Sequence, residues 1–253
     1  MTIWQAIIFG IIQGATEFLP ISSSGHLVLF NNIFGIEGNF LGFSVFLHIA
    51  TLFAVFVVFW KKIWFLIRHP FCEMAKKLYF STLLTVIIAL LFKDFFESMF
   101  EGKFLAIAFM LTALLLVLTE FLSHRKSHPF FYKTALAVGL MQGLAIIPGI
   151  SRSGSTICVG VLEGASREEC AEFSFILSIP IIIASMLFEI YDCVILGVPF
   201  FNISTFTLVI SFIVAFLVGL VSVKFMMKIV KKAKFYPFAI YLVVLSILCL
   251  FIL

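Results

Sequence analysis

The sequence is short of charge: Asp, Glu, Lys and Arg together make up 12% of its 253 residues, against about 25% in an ordinary soluble domain. So few charges cannot cover a folded surface in water, which excludes a soluble globular protein. No Lys or Arg precedes Lys61, so Met1 to Phe9 lack the basic region that opens a cleavable signal peptide. No long polar stretch is present either, and no attached soluble domain is expected. The five cysteines (Cys72, Cys158, Cys170, Cys193 and Cys249) are odd in number and scattered. They form no CxxC or Cys/His metal pattern and are expected to pack as small hydrophobes. The pI near 8.8 does not call for a nucleic-acid partner. The basic residues sit in short connections between apolar runs, where the positive-inside effect accounts for them.

What remains is apolar. Hydrophobic residues make up 63% of the chain, Phe alone occurs 34 times, and the mean hydropathy is +1.22. Lipid must therefore be the solvent for most of the chain, since a membrane span needs about 20 apolar residues. Six runs qualify, at about 42–60, 78–97, 104–123, 172–191, 204–223 and 236–253. They are continuous rather than alternating, which favours helices over the strands of a β-barrel. The expected fold is an all-α polytopic membrane protein, a single membrane domain over 1–253.

Loop charge orients the spans. The 61–77 connection carries Lys61, Lys62, Arg68, Lys76 and Lys77; 124–133 carries Arg125, Lys126 and Lys133; 224–234 carries Lys224, Lys228, Lys231, Lys232 and Lys234. The 93–103 loop has Lys93 and Lys103 against Asp94, Glu97 and Glu101, and 192–203 has no Lys or Arg. The three basic connections are expected to be cytoplasmic, in a plasma (inner) membrane. Two further apolar segments, about 1–40 and 131–170, are broken in the middle by Pro, Gly and Ser. Neither can cross fully without spoiling the alternation, so each is expected to enter and return on one side as a re-entrant helical hairpin.

The two broken segments resemble each other. A shift of 129 residues, without a gap, places Gly10, Gln13, Gly14, Ile21, Ser22, Ser24 and Gly25 on Gly139, Gln142, Gly143, Ile150, Ser151, Ser153 and Gly154. Three spans lie between the copies, and an odd number inverts the second copy in the membrane. The expectation is an inverted-topology repeat, with one copy at about 1–123 and the other at about 131–253. Such repeats bring interrupted helices together near the bilayer midplane, where their sites lie. Exposed helix N-termini there bind anions. The runs Ser22-Ser23-Ser24-Gly25 and Ser151-Arg152-Ser153-Gly154-Ser155-Thr156 read as a cradle for phosphate.

Three ionisable side chains fall in these breaks: Glu17, His26 and Arg152. Charge at membrane depth is a functional hypothesis by default; the plainer alternative is an ion pair pinning the hairpins together. Arg152 offers a planar fork for phosphate oxygens. Ser22, Ser23 or Ser24 is a candidate nucleophile, and His26 follows Ser23 by one helical turn, the spacing of a general base. Two roles are open to Glu17: ligand of a divalent cation, or orienter of His26. Gln13 and Gln142 are expected to hydrogen-bond hairpin backbone or to act as packing glue. His48, solitary in an apolar span, is expected to be a satisfied core residue, and Glu189 to reach water at a span end. Glu163, Glu168, Glu169 and Glu172 are explained by solvation and capping, Ser166 and Glu169 having capping-box spacing.

The stretch Gln13-Gly14-Ala15-Thr16-Glu17-Phe18-Leu19-Pro20-Ile21-Ser22-Ser23-Ser24-Gly25-His26 resembles the first signature of the bacitracin-resistance type undecaprenyl-diphosphate phosphatases. Pro148-Gly149-Ile150-Ser151-Arg152-Ser153-Gly154-Ser155-Thr156 resembles their second. The resemblance implies hydrolysis of undecaprenyl diphosphate to undecaprenyl phosphate and inorganic phosphate. That reaction recycles the lipid carrier of peptidoglycan synthesis and confers bacitracin resistance. It also implies an active site open to the outer side of the membrane, a divalent cation (Mg²⁺ or Ca²⁺, on Glu17) and a tendency to form homodimers. The family's essential acid falls on Glu17, its proposed nucleophile on Ser23, its His on His26 and its Arg on Arg152. Substrate contacts are expected from Gln13, Ser22, Ser24, Gly25, Gln142, Ser151, Ser153, Gly154 and Thr156. Many members carry Glu where this chain has Gln13, so a two-carboxylate metal site loses its second carboxylate here. Direct attack by His26 stays open, as does a lipid flippase or anion transporter built on the same cradle.

Overall fold

The computed structural model describes every residue except 37–38, 124–127, 198–200, 202, 232–233 and 253. Arg125, Lys126 and Lys232, counted among the loop charges above, lie outside the described residues. The described chain forms α1 (Ile3–Thr16), α2 (Ser23–Phe34), α3 (Phe40–Arg68), α4 (Glu73–Leu91), α5 (Lys93–Met99) and α6 (Leu105–Leu122), followed by α7 (Tyr132–Leu144), α8 (Arg152–Leu162), α9 (Arg167–Leu196), α10 (Thr205–Ile229) and α11 (Tyr236–Ile252). The only β-type pairing among the described residues is an isolated bridge between His128 and Ala165.

Five of these helices, α3, α4, α6, α9 and α10, are long and apolar enough to cross a membrane. α11 is equally apolar but has 17 described residues. Their lipid-facing sides carry exposed Leu, Ile, Val and Phe throughout, as expected of a multi-pass membrane protein. Several boundaries differ from expectation: α3 runs on to Arg68 and α10 to Ile229, past the expected edges at 60 and 223 and into the lysine-rich connections. The run at 78–97 does not continue as one helix: Phe92, at φ −120° and ψ 24°, ends α4, and a separate short α5 follows. The polar side chains of Lys93 and Asp94 explain the break, since they mark where the chain leaves apolar surroundings.

Both interrupted segments are helix–break–helix units. α1 and α7 begin 129 residues apart, and so do α2 and α8; the remaining long helices recur within three residues of that spacing. α1 does not pack mainly within its own half. It lies along α10, while its counterpart α7 lies along α4, the counterpart of α10. Glycine permits this closeness. A Cβ on Gly10 would stand 2.7 Å from the Ser211 carbonyl oxygen, and one on Gly139 would stand 2.8 Å from the Ser81 backbone. Side-chain hydroxyls then bond across the seams: Ser81 Oγ to the Ala135 carbonyl at 2.7 Å, Thr85 Oγ1 to the Gly139 carbonyl at 3.0 Å, and Ser222 Oγ to the Ala15 carbonyl at 2.9 Å. Small residues and hydroxyls at the seam are how helices associate where no hydrophobic force separates protein from solvent.

Ion pairs mark the two ends of the bundle. At one end Lys62, Lys133 and Lys231, from the three lysine-rich connections, pair with Glu172, Glu163 and Glu168 at 2.9, 3.0 and 2.6 Å. Ser166 caps α9 there, its Oγ accepting from the Glu169 N–H at 3.2 Å. At the other end Lys93 pairs with Asp192 at 2.8 Å, joining the 93–103 and 192–203 connections.

Candidate active site

The two breaks meet. Ser22 caps α2 with its Oγ on the Gly25 N–H at 3.3 Å, and Ser151 caps α8 with its Oγ on the Gly154 N–H at 3.1 Å. Serine at this position satisfies an N–H that has no partner inside the helix. The tips then interlock. Ser22 Oγ also accepts from the Gly149 N–H at 3.1 Å, and Ser153 Oγ donates to the Leu19 carbonyl at 3.0 Å. Gly25 and Gly154 serve this contact rather than the cavity. A Cβ on Gly25 would stand 2.7 Å from the Phe109 ring and 2.8 Å from Gly149 Cα, and one on Gly154 would stand 3.0 Å from Pro20.

Glu17 sits just past the end of α1 and is 5% exposed. Its Oε1 is paired with Arg152 Nη2. Its Oε2 accepts from Ser23 Oγ at 2.5 Å and from Gln13 Nε2 at 3.0 Å. Arg152 Nη1 is buried without a partner. Ser23 and Arg152 are the first residues of α2 and α8 and occupy the same place in the two copies of the repeat. Both line a cavity of about 300 Å³, together with Glu17, Ser22, Ser24, Ser151, Ser153 and Gln142. The cavity runs from the breaks to the end of the bundle marked by Lys93 and Asp192, which also line it.

Some expected residues stand elsewhere. His26 does not serve Ser23: its Nδ1 donates to the Ser22 carbonyl at 2.7 Å and its Nε2 meets the Tyr241 hydroxyl at 2.7 Å. α2 does begin at Ser23, as the helical-turn argument requires, but the ring turns toward α11 and Glu17 takes the hydroxyl instead. Thr156 Oγ1 donates to the Arg152 carbonyl at 2.7 Å and pairs with Ser174 Oγ at 2.6 Å, so it fastens α8 to α9. Gln13 and Gln142 reach threonines of neighbouring helices rather than hairpin backbone, Thr51 at 3.1 Å and Thr85 at 3.2 Å. The carbonyl oxygens of both amides are buried and unpartnered.

Two residues were undervalued in the sequence. His48 lines the cavity, with Nδ1 on the Ser44 carbonyl at 2.7 Å and Nε2 3.4 Å from Glu17 Oε2. Glu189 is 8% exposed and faces the same cavity rather than open water; it accepts from Asn39 Nδ2 at 2.8 Å. The only available signal was a polar residue in an apolar run, which packing explains equally well.

The donor set does not fit a resident divalent cation. Among the described residues no three His, Cys, Asp or Glu side chains converge as metal ligands. Glu17 is the lone carboxylate at the break, and N–H and O–H donors occupy both its oxygens.

The family described as bacitracin resistance protein BacA matches residues 6–248. A relative from Carboxydothermus hydrogenoformans named undecaprenyl-diphosphatase is 39% identical over 252 residues, covering 98% of this chain and 96% of its own. Relatives of the same name from Treponema denticola and Methanosphaera stadtmanae are 40% and 39% identical, each over 98% of this chain and over 96% and 97% of their own. The match spans both interrupted helices and every helix between them, and the chain belongs to the BacA family.

Proposed function

We propose that the protein hydrolyses undecaprenyl diphosphate to undecaprenyl phosphate and inorganic phosphate, recycling the carrier lipid of cell-wall synthesis and so conferring resistance to bacitracin. The observation that carries this reading is the array Ser23–Glu17–Arg152 at a cavity where two helix N-termini converge. A hydroxyl, a carboxylate to take its proton and a guanidinium for phosphate oxygens are the parts of a phosphoryl transfer, and transport alone requires none of them.

In the proposed reaction the terminal phosphoryl group lies between the two helix N-termini, with its oxygens on Arg152 and the backbone N–H groups. Ser23 Oγ attacks the terminal phosphorus as its proton passes to Glu17 Oε2. The bond from that phosphorus to the bridging oxygen breaks, and undecaprenyl phosphate leaves with the bridging oxygen. Water then attacks the phosphorus of the phosphoserine, the bond to the Ser23 oxygen breaks, that oxygen takes back the proton held on Glu17, and inorganic phosphate leaves with the oxygen and protons of the water. Little of this is covalent work by the protein; positioning and charge stabilisation dominate. A divalent cation, on this reading, arrives as a counter-ion of the diphosphate instead of waiting in a protein cage, a habit of Mg²⁺ at phosphate sites.

The proposed orientation puts the lysine-rich end of the bundle in the cytoplasm and the cavity mouth near Lys93 and Asp192 on the outer side of the plasma membrane. The two hairpins then dip in from opposite sides, as an inverted repeat over six spans. The deciding experiment is phosphate release from undecaprenyl diphosphate by purified protein, with a rapid-quench search for phosphate on Ser23. Turnover by Ser23→Ala would reject the nucleophile, and no turnover by the wild type would leave the lipid-transport reading in its place.

A further inference from the structure

His26 is 3% exposed and stands behind the cavity wall: Ser22, Ser23 and Ser24 line the cavity and His26 does not. Its Nδ1 lies 2.7 Å from the Ser22 carbonyl oxygen, which can only accept, so the ring carries its proton on Nδ1. Nε2 then presents a lone pair, and the hydroxyl of Tyr241 on α11, 2.7 Å away, donates to it. The two rings are parallel to within 2°, and the edge of Phe109 closes another side with ring centroids 5.5 Å apart. Both ring nitrogens are thus committed, and neither is committed to Ser23.

Ser22 is the residue that needs holding. At φ 66° and ψ 95° it is the one non-glycine residue with positive φ among the described residues. Such a conformation persists only where the surroundings over-determine it. Its carbonyl accepts from both the His26 N–H at 3.2 Å and His26 Nδ1. The turn at Ser22 sets the direction of Ser23, whose Oγ must meet Glu17.

We propose that Tyr241 and His26 are positioning residues. Together they form a tether from α11 that holds Ser22 in its left-handed conformation and thereby aims the Ser23 hydroxyl at Glu17. His26 is then neither the base nor the nucleophile. The proposal rests on Ser23 being the nucleophile.

His26→Asn separates the roles. Its amide N–H stands near the place of Nδ1 and still donates to Ser22, but an amide neither takes a proton nor attacks phosphorus. Turnover of His26→Asn should stay within about tenfold of wild type, while His26→Ala should lose about a hundredfold, the scale of a small misplacement of a reacting group. KM for the lipid should change little in either. Tyr241→Phe should cost roughly tenfold in turnover, the scale of one hydrogen bond, and nothing further in the His26→Ala background, where the tether is already cut. The ¹⁵N spectrum of His26 should show the Nδ1–H tautomer. A folded His26→Asn protein as inactive as His26→Ala would overturn the proposal. So would full turnover in Tyr241→Phe, or additive losses in the double variant. If His26→Asn does not fold, an Nε2–H tautomer in the wild type overturns it alone. Failure of the Ser23 reading is distinct: it appears as turnover in Ser23→Ala, whatever the tautomer of His26.

Discussion

The two breaks are built alike and equipped differently. Each opens its second helix with a capping serine, Ser22 or Ser151, and each places the next residue, Ser23 or Arg152, at the cavity. Ser22 is held at positive φ, whereas Ser151 sits at φ −71° in ordinary extended backbone. The tip that carries Ser23 is the strained one, and the tip that carries Arg152 is relaxed. An attacking oxygen must meet one phosphorus along one line, which rewards a fixed backbone. A guanidinium reaches its partners through a long side chain and tolerates a plainer cap.

The largest test of this difference is on the cationic side. Arg152→Lys keeps the charge but loses the fork; Nη2 holds Glu17 and Nη1 is unpartnered, so one arm of the fork is left for a phosphate oxygen. Turnover of the folded Arg152→Lys protein should fall by roughly a hundredfold or more, the scale of losing one preorganised donor. Near-normal turnover would reduce Arg152 to a strut for Glu17.

The seams come next. A methyl at Gly14 meets the Ala215 carbonyl oxygen at 2.7 Å and Gly219 N at 2.8 Å, both backbone atoms. At Gly143 the nearest atoms belong to the Ile88 side chain, at 2.6 Å and beyond. Gly14→Ala should therefore destabilise by about 1–3 kcal/mol, as overpacking does, and Gly143→Ala by less, since a side chain can yield. Equal melting temperatures in detergent would mean the two seams are equally tight.

Smaller effects come from the polar neighbours of Glu17. His48→Gln removes the ring nitrogen that stands 3.4 Å from Glu17 Oε2 and should lower turnover by roughly fivefold at most, the scale of one ion-pair contact, and wild-type turnover would return His48 to the plain packing role that sequence suggests. The smallest response concerns metal. If the cation comes with the diphosphate, equilibrium dialysis of Mg²⁺ or Ca²⁺ should show no saturable binding to the protein alone. Tight binding without lipid would refute the argument from the donor set.

The all-helical apolar fold was legible in the sequence, because long apolar runs are local patterns. The breaks announced themselves through Ser, Gly and Pro, and Glu17 and Arg152 through the cost of burying charge. The partners were harder to see. One helical turn from Ser23 to His26 describes reach along a helix, not the direction a ring takes. The Tyr241 hydroxyl that engages it lies 215 positions away. His48 was hidden for the same reason, since nothing local places an α3 residue beside the end of α1. Thr156 matched the second signature yet faces α9; a motif records which residues recur, not which way each one points.

The seating of each hairpin on the other half has a consequence for synthesis. α1 is complete once Thr16 is made, but α10, against which it rests, begins at Thr205, about 190 residues later. At roughly 5–20 residues per second, the first tip waits some 10–40 seconds for its seat. For the first part of that interval, until Arg152 is made 135 positions after Glu17, the carboxylate also has no guanidinium, and a buried carboxylate without its partner is costly in lipid. The nascent hairpin must therefore stay near the membrane surface or lean on the translocation machinery until the second half arrives. Seating of the first tip becomes one of the last events in folding, and a chain interrupted before α10 leaves that tip without its seat.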